Sequence, residues 1–146
     1  MIAVDTNLLV YSHRRDSRFH ADARTLIESL RRGAETWAIP WPCLHEFIGI
    51  VTHERIYAPP TRLDVAFAAV ASWQAGENLC FLAEGTGYLE KLRELARAAR
   101  LSGPRIHDAR IAALCLRHGV TELWTADRDF SAFPQLPTRN PLVKVT

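Results

Sequence analysis

Sixteen Asp and Glu residues are spread over 146 positions, and four of them stand where a carboxylate is costly. Asp5 ends the apolar run Ile2-Ala3-Val4. Glu46 lies in Cys43-Leu44-His45-Glu46-Phe47-Ile48-Gly49-Ile50, a stretch that is apolar nearly all round a helix. Asp108, at about 100° per residue, shares its helix face with Ile111, Ala112 and Cys115, while Arg110 and Arg117 point the other way. Asp127 follows Leu123-Trp124-Thr125. A carboxylate in apolar surroundings is expensive unless it is paired or bound to a metal. Each acid alone has a plain structural explanation. Asp5 suits a helix N-cap, Glu46 an arginine partner, Asp108 a first-turn position favoured by the helix dipole, and Asp127 a turn. Four such acids together fit better as one site, and carboxylates without His or Cys partners suit hard cations, Mg²⁺ or Mn²⁺.

The elements that must position them follow from the pattern around them. Residues 2–4 read as a short buried strand, and 6–11 continue as a helical turn. Phe19, Ala23, Leu26, Ile27 and Leu30 recur at helical spacing over 18–32, and Gly33 stops that helix. Residues 36–39 form a second strand ended by Pro40. Pro42 suits the first position of a helix that runs from Cys43 to His53. Pro59-Pro60 breaks the chain, and Thr61 caps a helix through about Trp73. A third strand covers 78–82, helices cover 86–101 and 105–118 with Gly119 as C-cap, and a fourth strand covers 122–125. Residues 142–145 offer a fifth. Strands alternating with helices predict an α/β fold of three layers, α/β/α, with a mostly parallel central sheet of four or five strands. Such sheets bear their sites at the carboxyl ends of the strands. That is where Asp5 and Asp127 stand, with Glu46 and Asp108 early on helices that follow or cover the sheet.

Length and composition bound the rest. At 48% hydrophobic and 23% charged residues, the chain has the make-up of an ordinary globular protein, and its length predicts one domain, 1–146. Disordered, collagen-like and disulfide-scaffold classes are excluded. No apolar run is long enough to cross a membrane, and the first residues lack the pattern of a signal peptide. Cys43, Cys80 and Cys115 sit among apolar residues without C-x-x-C spacing, which predicts buried, reduced thiols in a cytoplasmic protein. The net charge is only +2, but arginine carries nearly all the positive charge; Lys91 and Lys144 are the two lysines. Arginine favours bidentate phosphate contacts, so nucleic-acid binding is permitted, though not required, by the charge.

The chain resembles the PIN-domain ribonucleases of the VapC toxin type along its whole length. The resemblance is carried by Val4-Asp5-Thr6-Asn7, by Glu46, by Ile106-His107-Asp108-Ala109-Arg110-Ile111-Ala112-Ala113 and by Leu123-Trp124-Thr125-Ala126-Asp127-Arg128-Asp129-Phe130, in matching order and spacing. It implies that Asp5, Glu46, Asp108 and Asp127 are the catalytic, metal-binding acids of a Mg²⁺-dependent endoribonuclease, with Mn²⁺ able to substitute. Asp5 and Asp108 would ligate directly, Glu46 would ligate or orient water, and Asp127 would hold a second metal or bind through water. Thr6, Asn7 and Thr125 would orient the carboxylates, with Asp129 as an auxiliary acid. Arg14, Arg15 and Arg128 are candidates for the RNA backbone. The resemblance also implies a homodimer held inactive by a small VapB-like antitoxin. Phe47, Ile48, Val51, Ile56, Tyr57, Phe67, Val70 and Trp73 offer more apolar surface than one small core requires, some of it available as an interface.

Other phosphate chemistries fit less well. A phospho-acceptor receiver needs an adjacent acidic pair after the first strand and a late lysine. A haloacid-dehalogenase-type phosphatase needs Asp-x-Asp where this chain has Asp5-Thr6-Asn7. An HD-type phosphohydrolase is all helical and needs further histidines, and His107 is expected at the surface or against a partner. A flap nuclease needs a larger chain. The non-enzymatic alternative is a catalytically inactive PIN-like module that binds RNA or protein; degenerate members lack some of the acids, and all four are present here.

Overall fold

The computed structural model describes residues 1–143. Five strands, β1 (Ile2–Val4), β2 (Trp37–Pro40), β3 (Leu79–Leu82), β4 (Glu122–Trp124) and β5 (Thr138–Arg139), alternate with six helices. These are α1 (Thr6–His13), α2 (His20–Arg32), α3 (Trp41–Val51), α4 (Leu63–Gln74), α5 (Tyr88–Ala98) and α6 (Ile106–Arg117). The strands form one sheet in the order β3-β2-β1-β4-β5, and every neighbouring pair is parallel. α1 packs on α2 and α3, and α4 on α3 and α2. α5 packs on α6, which lies against β2.

The central strands are apolar on both faces, as a parallel sheet covered by helices requires. Ala3, Val4, Trp37, Ala38, Ile39 and Leu123 are all buried. α6 is buried over most of its circumference, through Ala109, Ile111, Ala112, Ala113, Leu114 and Cys115. Its exposed arginines turn outward as expected: Arg110 pairs with Glu84 and Arg117 donates to the Thr86 carbonyl. Gly119 follows α6 at φ +74°, a left-handed conformation that lacks a Cβ penalty only for glycine. Asn78 ties β3 to the turn before β2. Its amide donates to the carbonyls of Leu30, Gly33 and Glu35, and its oxygen accepts from the Trp37 indole.

Several expectations move. The fifth strand is Thr138–Arg139, not 142–145; Leu142 and Val143 follow it in a turn and a bend, and 144–145 lie outside the described residues. Thr61 does not cap α4. Arg62 holds that position, and the Thr61 hydroxyl is engaged by His13 Nε2 at 3.0 Å and Arg14 at 3.3 Å. Cys43 and Cys115 are buried, but Cys80, on the edge strand β3, is only partly covered. Of the apolar residues offered as surplus, Phe47, Val51, Val70 and Trp73 are core, whereas Ile56 and Phe67 are exposed, as are Leu63 and Val65. Among the described residues no helix is long and apolar enough to cross a membrane.

Candidate functional site

β1 and β4 are sheet neighbours at the point where the strand order reverses. From β1 the chain builds outward to β2 and β3, then returns to the other side of β1 for β4 and β5. Connections leaving in opposite directions open a crevice beyond the strand ends. A cleft of about 140 Å³ opens there. Asp5, Thr6 and Asn7 come from the β1–α1 junction, Glu46 and Ile50 from α3, Asp108 and Ile111 from α6, and Asp127 and Phe130 from the segment after β4. All four expected acids line it.

Asp5 is the most enclosed, at 5% exposure. Oδ1 accepts from the Thr6 amide at 2.8 Å and from the Cys43 thiol at 3.4 Å; Oδ2 accepts from the Thr125 hydroxyl at 2.7 Å. Asp5 therefore is the N-cap of α1 and a cleft carboxylate at once. Burial pushes its pKa up, against the pull of those donors, and negative Asp127 adds to the rise. Glu46 is more open than its apolar helix predicts, because α3 turns this side chain toward the cleft mouth rather than into the core. Oε2 accepts from the Thr6 hydroxyl at 3.3 Å. Its pKa is raised by partial burial of the carboxyl group and by Asp5, with His107 opposing. Asp108 is half-buried, and its pKa rises through burial first, then Asp127 and Asp129. Asp127 caps the short 3₁₀ turn Arg128–Ala132 by accepting from the Asp129 amide at 2.9 Å, while its own amide donates to Thr125 Oγ1 at 2.9 Å.

Asn7 lines the cleft but forms no hydrogen bond to a carboxylate among the described residues. Its Oδ1 accepts from the Ala126 amide at 3.2 Å and so ties the segment bearing Asp127 to α1. Asp129 is exposed and does not line the cleft. Arg14 is committed elsewhere. It pairs with Asp16 at 2.6 Å, donates to the Pro59 carbonyl and lies 4.0 Å over the Tyr57 ring, and with Arg15 it borders a separate depression beside Pro59 and Pro60. Arg128 alone of the three arginines adjoins Asp127, on a groove shared with Ser131 and Arg139. Ile50, Ile111 and Phe130, which wall the cleft, were not singled out in the sequence. Ile50 lies four residues after Glu46 and Ile111 three after Asp108, so helical spacing places them beside the acids.

The donor set suits a hard divalent cation. None of the four acids forms an ion pair among the described residues, and three have pKa values raised by burial and by one another. A dication would relieve both costs. The acids line the cleft without closing on a common point: among the described residues no three His, Cys, Asp or Glu side chains are gathered tightly enough to hold one ion. A roomier depression of about 480 Å³ between α1, α2 and α4 has one acid on its wall, Glu28, already bridged to Arg31 and Arg32. The chemistry is concentrated in the smaller cleft.

Comparison with known proteins agrees with this architecture. Ribonuclease VapC43 of Mycobacterium tuberculosis (strain ATCC 25618 / H37Rv) is 39% identical over 142 residues, 97% of this chain and 96% of that protein. Ribonuclease VapC48 of the same strain is 28% identical over 137 residues, 94% of each. Two solved structures share the fold: Mycobacterium tuberculosis VapC20, described as a Sarcin-Ricin loop cleaving toxin (TM-score 0.65, 20% identity, 90% of this chain and 94% of that one), and Rickettsia felis VapBC2 bound to a DNA fragment from their promoter (TM-score 0.66, 19% identity, 95% and 98%). Residues 2–136 match the PIN domain. With a match that runs from β1 past β4, and relatives of nearly equal length, the chain belongs to the PIN-domain family, among its VapC ribonucleases.

Proposed function

We propose that this chain is a metal-dependent endoribonuclease toxin of the VapC type. The observation that carries the proposal is the convergence of Asp5, Glu46, Asp108 and Asp127, from four separate segments, on one cleft whose lining, among the described residues, includes no lysine or arginine. Relatives named ribonucleases point to RNA as the substrate. The acids themselves repel a phosphodiester, so the site needs a divalent ion, Mg²⁺ or Mn²⁺. Bound there, that ion would supply Lewis acidity, a lowered pKa for water and screening of the developing charge.

The chain's own residues would divide the remaining work. Asp5 and Asp108 are assigned as direct ligands, Glu46 as a ligand or the group that orients the attacking water, and Asp127 as a further, more peripheral ligand. Thr125 fixes Asp5 by donating to Oδ2, and Thr6 does the same for Glu46. Asn7 keeps the Asp127 segment against α1. Hydrolysis by water leaves 5′-phosphate and 3′-hydroxyl ends. Arg128 is assigned to the RNA backbone.

The VapBC2 neighbour supports a VapB-like antitoxin as partner. Exposed Ile56, Leu63, Val65 and Phe67 support a homodimer or another apolar contact. Three free cysteines support a reducing, cytoplasmic setting. Production of the protein alone in a bacterium should arrest growth, and Asp108→Asn should relieve the arrest at equal protein level. Arrest that persists in the variant would contradict the assignment of Asp108.

A further inference from the structure

The carboxyl edge of the sheet bears a second feature, two strands from Asp5. Trp41, the first residue of α3, stacks on Phe81 near the end of β3, with ring centroids 4.4 Å apart and planes 21° apart. His45, one turn along α3, lies nearly parallel to Trp41 at 6.0 Å and 27°. The stack grades outward. Phe81 is half-buried, Trp41 is 37% exposed, and His45 is exposed. A large aromatic surface left open to water carries a free-energy cost, which is unusual to keep without a use.

Its position is continuous with the cleft. Glu46 follows His45 directly on α3 and lines the cleft. Arg105 and His107 are exposed at the start of α6, beside Asp108 in its first turn. Flat rings, basic side chains and the carboxylates therefore share one edge of the sheet. That set of features matches a single nucleic-acid strand: unpaired bases stack on aromatic faces and the backbone needs positive charge. A protein partner needs a broader apolar contact, of the kind the exposed residues of α4 offer on another surface.

We propose that the Trp41–His45 stack, supported by Phe81, receives one unpaired base of the RNA next to the cleavage point and so acts as a positioning and specificity element. The proposal rests on the ribonuclease function above, and RNA binding without cleavage tests it. Single-stranded ribo-oligonucleotides of ten residues would be titrated against the full chain carrying Asp108→Asn, in EDTA, by fluorescence anisotropy. Trp41→Ala in that background should weaken binding roughly 5- to 100-fold, the range expected for one stacked base. Trp41→Phe, which keeps a stacking face, should recover most of it, and an abasic site at one oligonucleotide position should cause a loss that Trp41→Ala does not deepen. Unchanged melting temperatures would exclude misfolding. Equal RNA affinity with and without Trp41, or a loss of antitoxin binding alone, would overturn the base-stacking proposal and leave the ribonuclease function standing. Failure of the parent protein to bind any of the RNAs would overturn the base-stacking proposal, while the ribonuclease function is tested separately by Mn²⁺-dependent cleavage with the unsubstituted chain.

Discussion

Asp5 and Asp108 share a cleft, but they are held there differently. Asp5 accepts three hydrogen bonds, from Thr6, Cys43 and Thr125. Asp108 has no such partner among the described hydrogen bonds, and Asp127 and Asp129 press on its charge. Replacement by asparagine therefore has opposite consequences at the two positions. In EDTA at neutral pH, Asp108→Asn should raise the melting temperature by about 2–4 °C, equivalent to about 1 kcal/mol in a chain of this size. It removes a repelled charge and leaves no cavity. Asp5→Asn should lower it, because an amide cannot accept from donors on both sides; one charge-assisted hydrogen bond contributes about 1.5–3 kcal/mol. Both should shrink the stabilisation that Mn²⁺ gives the parent protein, since that stabilisation tracks affinity for the folded state. Melts with EDTA and with Mn²⁺ check each expectation. Asp127 and Asp129 are separable in the same way. Asp127 lines the cleft and Asp129 does not, so Asp127→Asn should cost about 100-fold or more in RNA cleavage and Asp129→Asn less than about tenfold, the lower part of the range for a supporting residue. Equal losses would move the fourth acid to Asp129.

At the scale of elements, the β1–α1 and β4 junctions work as a pair. Thr125 donates to Asp5 and accepts from the Asp127 amide, and Asn7 ties the same segment to α1. Thr125→Val keeps the shape of this buried side chain but removes both interactions. It should weaken Mn²⁺ affinity about 10- to 100-fold, read from the Mn²⁺ dependence of the melting temperature; an unchanged dependence would remove Thr125 from the site. The β1–α1 junction was legible in the sequence because a carboxylate directly after an apolar strand is both unusual and fixed in direction by the strand, and the β4 junction because an acid stands three positions past Trp124. Asp108 was legible from helical phase. Glu46 was legible only in part: its helix is apolar, but which flank faces a cleft depends on how α3 crosses the sheet. β5 was not legible, since two exposed residues, Thr138 and Arg139, carry no alternating pattern and pair only because β4 offers a free edge. The setting of Arg14 was not legible, because its partners Pro59 and Tyr57 come from a distant loop. The Trp41–Phe81 stack joins residues forty positions apart and left no local signal.

Over the whole molecule, the cleft sets stability and function against each other. The pKa values of Asp5, Glu46 and Asp108 are raised in the fold. Their contribution to stability is therefore fully present below the unfolded values, 3.8 for the aspartates and 4.5 for the glutamate, and is lost as pH rises through the folded ones. In EDTA, the melting temperature of the parent protein should fall more than that of Asp108→Asn as the pH rises from the unfolded value of 3.8 toward neutrality. The gain from Mn²⁺ should grow over the same interval, because protons and the metal compete for the same oxygens. A gain independent of pH would place the metal away from these acids. The most direct measurement of the central claim is cleavage of an end-labelled single-stranded RNA by the purified chain, with Mg²⁺ or Mn²⁺ and with excess EDTA. A carboxylate metal site predicts cleavage that requires the ion, leaves 5′-phosphate and 3′-hydroxyl ends, and is abolished by Asp108→Asn; undiminished cleavage in EDTA, or full activity in the variant, would contradict it.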